Sequence, residues 1–223
     1  MTSNLYLDIG NSFTKWKFKS CYFERPTREF SLDVLPKASQ IWVSCVSPLF
    51  DKNTEPNLFY IESQSSYKSL RNAYIEPNLL GSDRWLALIA GYELCLKSSF
   101  IVVDIGTAVT IDVVDSSGIH KGGVIFPGLM KIRNSFDFFK INNISNINIL
   151  GQSTEEAWSI GTLNLLVDGI NQKVRDLKIA FPNANIFITG GGFEEIESLL
   201  DFSFDFHENL VLDGLELYAN YVG

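Results

Sequence analysis

Hydrophobic and polar positions along the chain form the same design twice. Residues 5–9 (LYLDI) are a short apolar run, Gly10 and Asn11 interrupt it, and "SFTKWKFKS" then alternates. Thr14, Trp16 and Phe18 fall on one side of that alternation; Phe13, Lys15, Lys17 and Lys19 fall on the other. Period-two alternation with one apolar side predicts a half-buried hairpin. A further strand is expected around Tyr22 to Leu32, and "IWVSCVS" (41–47) and "NLFYIES" (57–63) read as interior strands. Next, "GSDRWLALIAGYELCLK" changes period. Gly81 and Ser82 open it, Asp83 lies in its first turn, and Trp85, Leu86, Leu88, Ile89 and Tyr92 make a broad apolar face. The spacing predicts a helix over about 82–97, with Lys97 near its end.

The pattern then restarts. "SFIVVDIG" reads as a buried strand, "TAVTIDVVD" as a second, "SSG" as a turn, and "KGGVIFPG" as a third strand ending at Pro127-Gly128. A helical region is expected after that. "STEEAWSIGTLNLLVDGINQKVRDLKIA" is a long amphipathic helix opened by Ser153 or Thr154, with Glu155 and Glu156 at its positive end. "NIFITGGG" is a strand running into glycines, "FEEIESLL" a short helix and "DGLELYANYV" a terminal one. Two hairpins, each followed by helix and a parallel-type strand, predict an α/β protein built from two related halves, residues 1–97 and 98–223.

Nearly half the 223 residues are hydrophobic, enough to bury a sizeable core. The formal net charge of −8 argues against nucleic acid as the main partner and means that an anionic ligand must be held by local donors. Cys21, Cys45 and Cys95 are far apart, and with two histidines they make no metal-ligand pattern. A reducing cytoplasm is the expected compartment, since "NLYLDIG" carries no basic leader and no run is long enough to span a membrane.

The repeated phrase carries the chemistry. "YLDIGNSFTKW" (from Tyr6) and "VVDIGTAVTID" (from Val102) both set Asp-Ile-Gly after an apolar run. In a tight bend the N–H groups of Gly10, Asn11 and Ser12 can converge on one anion, and Gly106, Thr107 and Ala108 offer a second set. Asp8 would repel a phosphate but can hold Mg²⁺ through water, and Asp104 and Asp112 add further acids. Two such bends facing one another would clamp a triphosphate. "ITGGGF" (188–193) suits backbone lying against adenine or ribose, or simply a tight strand-to-helix turn.

Taken in order, DIGNSFTK, GSDR, DIGTAVTID, GGVIFPG and TGGG resemble the type III pantothenate kinases of the acetate and sugar kinase/Hsc70/actin superfamily. That resemblance implies a duplicated ribonuclease H-like fold with a nucleotide cleft between its halves. It implies ATP-dependent phosphorylation of the primary hydroxyl of pantothenate, the first step of coenzyme A biosynthesis. Asp83 then matches the catalytic base. Asp8, Gly10, Asn11, Ser12, Lys15, Gly106, Thr107, Gly190 and Gly191 match ATP contacts. Tyr74, Gly81, Ser82, Asp83, Arg84 and Thr154 match the pantothenate pocket. Asp104 matches the holder of a monovalent cation, K⁺ or NH₄⁺, and the family's members are homodimers with the pocket near the subunit interface. Ser12 stands where the family more often has Thr, and "QST" where it often has Asn-Thr. The alternatives are another small-molecule kinase of the superfamily or a non-catalytic regulatory relative. His120, after the "SSG" turn, is expected to be exposed, and residues 136–150 are a candidate loop against a partner subunit.

Overall fold

A computed structural model describes residues 3–50, 56–95, 97–142, 144, 147 and 149–223. The first hairpin forms as its alternation predicts. β1 (Leu5–Ile9) and β2 (Phe13–Phe18) pair antiparallel, and β3 (Cys21–Pro26) continues the meander. The strand expected to reach Leu32 stops at Pro26, which has no N–H to give a ladder, and single 3₁₀ turns at Thr27–Glu29 and Leu32–Val34 follow. β4 (Ile41–Cys45) then lies parallel to β1 on its other side, and β5 (Leu58–Tyr60) lies parallel to β4. The sheet order is β3-β2-β1-β4-β5. β5 is therefore an edge strand, not an interior one, and its side chains are only half-buried or exposed.

A small hairpin, β6 (Ser66–Tyr67) and β7 (Leu70–Arg71), precedes α1 (Ser82–Cys95). The helix expected to run to 97 is described to Cys95; Leu96 lies outside the described residues, and Lys97 has a left-handed φ of 75°.

The second series repeats the first. β8 (Phe100–Ile105), β9 (Ala108–Val114) and β10 (His120–Pro127) are followed by α2 (Leu129–Arg133), α3 (Thr154–Ala180), β11 (Asn185–Thr189), α4 (Phe193–Ile196), β12 (Asp205–Phe206) and α5 (Leu210–Val222). Their sheet order is β10-β9-β8-β11-β12, the same path as the first five strands. The protein is thus α/β, with two mixed five-stranded sheets of one topology.

Chain contacts divide the molecule into two compact units. One comprises Met1–Phe100, Val114–Gly122 and Asn209–Gly223; the other comprises Ile101–Val113 and Gly123–Glu208. In the first, Leu5, Leu7 and Ile9 of β1 meet Trp16, Ile41 and Val43 in one core on one face of the sheet. α5 packs along α1, and Lys17 Nζ donates to Glu216 Oε2 at 2.6 Å, tying β2 to α5. In the second, Leu163, Leu166, Val167, Ile170 and Val174 of α3 recur at helical spacing and pack on Val103, Ile105, Val109, Ile111, Ile186 and Ile188. No helix among the described residues is long and apolar enough to cross a membrane.

Candidate active site

The strand register of the first unit builds a polar row. Glu24 of β3 lies opposite Lys15 of β2, Lys15 opposite Asp8 of β1, and Asp8 beside Ser44 of β4. Directly paired residues share a face, and alternation turns Leu7 and Ile9 to the other side, into the core. Lys15 Nζ lies 3.9 Å from Glu24 Oε2. At the far end of the row, Ser44 Oγ is 3.1 Å from Ser82 Oγ, both groups buried. One hydrogen bond thus joins the Asp8 row to the first residue of α1, whose next two residues are Asp83 and Arg84.

Asp83, Arg84 and Tyr74 come together at that helix start. Asp83 Oδ1 accepts from the N–H of Arg84 at 2.7 Å. A Cβ on Gly81 would lie 2.5 Å from the same oxygen, so glycine there leaves the carboxylate its place. Arg84 Nη1 donates to Tyr74 Oη at 3.0 Å, and its guanidinium lies 5.7 Å from the Tyr74 ring centroid, within cation–π reach. Tyr74 is held by its own N–H donating to Asn72 Oδ1 at 3.0 Å. All three side chains remain partly exposed, while Trp85, the next residue, is fully buried. The cluster offers a carboxylate, a fixed guanidinium and a phenol at a surface a ligand can reach.

The first glycine bend differs from expectation in one respect. Gly10 N–H donates to Phe13 O at 3.1 Å within the turn, so that amide is not a donor for an anion. Thr27, which no local pattern singled out, secures the bend. Its Oγ1 donates to Gly10 O at 2.8 Å, its N–H donates to Ser12 O at 2.9 Å, and Thr14 Oγ1 lies 3.1 Å from its hydroxyl.

The second unit gathers Asp104, Gly106, Thr107 and Gly190. Asp104 Oδ1 is 2.5 Å from where a Cβ on Gly190 would lie and 3.7 Å from one on Gly106. Gly190 has φ of +101°, and a Cβ there would also strike the carbonyl of Ile105, so only glycine fits. Gly106 N–H donates to Ala108 O at 3.0 Å, Gly128 N–H to Thr107 O at 3.0 Å, and Gly192 N–H to Ile105 O at 2.8 Å. As in the first bend, the amide of the bend glycine is spent inside the turn. Gly191 faces open space. Asp112, by contrast, is almost fully buried on β9.

Thr154 stands exposed in the first turn of α3. The cap is Ser153, whose Oγ accepts from Glu156 N–H at 3.2 Å, while Glu156 Oε2 reaches back to Gln152 N–H at 2.8 Å. The helix therefore does not use the Thr154 side chain as its cap. His120 is buried with 1 % exposure, contrary to the exposed position expected after its turn. Of the 136–150 loop, Asn143, Ser145, Asn146 and Asn148 lie outside the described residues. Phe136 and Phe139 pack on Trp158, with ring centroids 5.4 and 4.9 Å away.

Among the described residues no group of three or more His, Cys, Asp and Glu side chains could hold a metal ion. A site with one carboxylate ligand, Asp8 or Asp104, suits an ion that takes its other ligands from water, phosphate or carbonyl oxygen.

The chain is similar to proteins of one family and to solved structures of one fold. A type III pantothenate kinase of Hahella chejuensis is 38% identical over 240 residues, spanning 98% of each chain. A protein of Campylobacter jejuni described as a Baf family transcriptional activator has a similar fold, with a TM-score of 0.68 and 24% identity over 97% of each chain. A pCBH ParM variant, at TM-score 0.52 and 12% identity over 98% of this chain and 99% of that one, shows that the fold is actin-like. The family described as Type III pantothenate kinase matches residues 4–176, and the chain belongs to that family.

Proposed function

We infer that this protein phosphorylates the primary hydroxyl of pantothenate with ATP, forming 4'-phosphopantothenate, the first step of coenzyme A biosynthesis. Family membership supports the reaction, and the observation that carries it to particular atoms is the Asp83–Arg84–Tyr74 cluster joined to the Asp8 row through Ser44 and Ser82.

Phosphoryl transfer depends on positioning and on stabilising charge. Asp83 accepts the alcohol proton as the γ-phosphoryl group arrives. Arg84 and Tyr74 hold the polar atoms of pantothenate, its carboxylate being a natural partner for a guanidinium. Gly81 and Ser82 form the floor beside Asp83, and Thr154 adds a hydroxyl. Asn11, Ser12, Lys15, Thr107, Gly190 and Gly191 contact ATP; Gly10 and Gly106 shape the two bends through their turn hydrogen bonds. Asp8 would hold Mg²⁺, which when bound would supply neutralisation of phosphate charge, and Asp104 would hold K⁺ or NH₄⁺. The protein works as a homodimer in the cytoplasm. Exposed Phe138 and Leu150, at 74 % and 92 % exposure, suit a subunit contact.

A coupled assay with pantothenate, ATP and Mg²⁺ tests the reaction, and turnover of other small alcohols but not pantothenate would overturn it. Asp83→Asn is expected to lower kcat by on the order of 10²- to 10⁴-fold while ATP still binds. Near-normal turnover in that variant would remove Asp83 from the role of base.

A further inference from the structure

We propose that His120 is a positioning residue for the acceptor pocket: it fixes Tyr74 and, through the Tyr74 hydroxyl, the guanidinium of Arg84. The proposal rests on reading Tyr74 and Gly81 to Arg84 as that pocket.

His120 is a polar ring buried to 1 % exposure, and burying such a group is costly unless it is hydrogen-bonded. Its Nδ1 accepts from Ala73 N–H at 3.4 Å, a long bond. Its ring lies 10° from the plane of the Tyr74 ring, with centroids 6.3 Å apart. The backbone beside it explains the arrangement. Arg71 N–H donates to Gly118 O at 2.8 Å, and Arg71 bridges in parallel to Ile119. In a parallel pair the next rung would come two residues later, from Ala73 N–H to the carbonyl of residue 120. Here the His120 side chain takes that N–H instead.

The pairing therefore ends on an imidazole, and the chain leaves it directly into Tyr74. Tyr74 N–H then goes to Asn72 Oδ1, and Tyr74 Oη receives Arg84 Nη1 at 3.0 Å. Arg84 is thus held from two sides: by its place on α1 and by a tyrosine whose base rests on His120. The turn that delivers His120 is itself braced, since Asp115 Oδ1 accepts from the N–H groups of Ser117 and Ile119, both at 2.9 Å. An aromatic hydrocarbon would fill the same space without the cost of burying polar atoms. The imidazole adds the acceptor that aligns the segment.

The test is steady-state kinetics on the full chain with His120→Phe, His120→Asn, Tyr74→Ala and the double variant His120→Phe/Tyr74→Ala. His120→Phe keeps the ring and loses the acceptor, and is expected to raise KM for pantothenate about tenfold, the size of one ordinary hydrogen bond. KM for ATP stays within about twofold on the same argument. His120→Asn restores an oxygen acceptor near the Nδ1 position and recovers most of the loss. The double variant is no worse than Tyr74→Ala alone, because the two residues act in series. An unchanged pantothenate KM in His120→Phe, a parallel rise in both KM values, no recovery in His120→Asn, or additive losses would each overturn the proposal. If the unaltered protein does not phosphorylate pantothenate, the kinase reading falls, and the inference is judged on a crystal structure of His120→Phe. A Tyr74 Oη to Arg84 Nη1 distance opened beyond about 3.5 Å sustains it, and an unchanged bond overturns it. Should His120→Phe not fold, His120→Ala takes its place with the same outcomes.

Discussion

A methyl group added at Gly81 would stand 2.5 Å from Asp83 Oδ1, and the atom obliged to give way is the end of a side chain, not backbone. Gly81→Ala is therefore expected to leave the fold intact and turn the carboxylate aside. Displacement of a reacting group by about 1 Å typically costs on the order of 10²-fold. The variant should melt near the unaltered protein but lose roughly 10- to 100-fold in kcat; unchanged kcat would mean that the position of Asp83 is not critical. At this scale the sequence was informative where chemistry is local. Gly81, Ser82, Asp83 and Arg84 are consecutive and open a helix, so their grouping was legible in "GSDR". Tyr74 was legible only through family resemblance. Thr27 was not legible, because its bonds to Gly10 and Ser12 cross 15 to 17 positions and a threonine after Pro26 carries no signal.

At the scale of elements, α5 shows packing overriding propensity. Gly214 lies inside this helix, where alanine would be favoured by roughly 1 kcal/mol on propensity alone. A Cβ there, however, would strike the carbonyl of Leu86 in α1. Backbone cannot step aside as a side chain can, so Gly214→Ala is expected to destabilise by about 1–3 kcal/mol, the usual cost of overpacking. A higher melting temperature in that variant would show that propensity wins. The turn between β9 and β10 gives a pH prediction. Burial raises the Asp115 carboxyl, but the N–H of Ile119, the Lys121 ammonium at 3.2 Å and the N–H of Ser117 outweigh it and hold the group below its ordinary value of 3.8. A carboxylate depressed in the folded state contributes stability above its unfolded pKa and loses it as pH falls through the folded one. The stability gap between the unaltered protein and Asp115→Asn should be constant above about pH 5 and shrink below 3.8. A gap that does not change with acid would remove this role.

Over the whole molecule, Asp8 and Asp104 occupy equivalent places in two sheets of one topology, at the ends of β1 and β8. Asp8 has Lys15 directly across the hairpin, and Asp104 lies close to Gly190. The cation site proposed at Asp104 is tested by the salt dependence of turnover. Turnover is expected to require K⁺ or NH₄⁺ and to fall in Na⁺-only buffer, with Asp104→Asn losing that dependence; equal rates in all three salts would count against the site. The sequence by itself determined the two hairpins, the helix starts and the duplication, because alternation, turn chemistry and caps act over a few neighbouring residues. It could not show that β5 lies at an edge, that α5 closes on α1, or that His120 is buried. Those were decided by tertiary structure, since each depends on contacts between segments tens of residues apart, where burial follows from what packs on a residue and not from its neighbours in the chain.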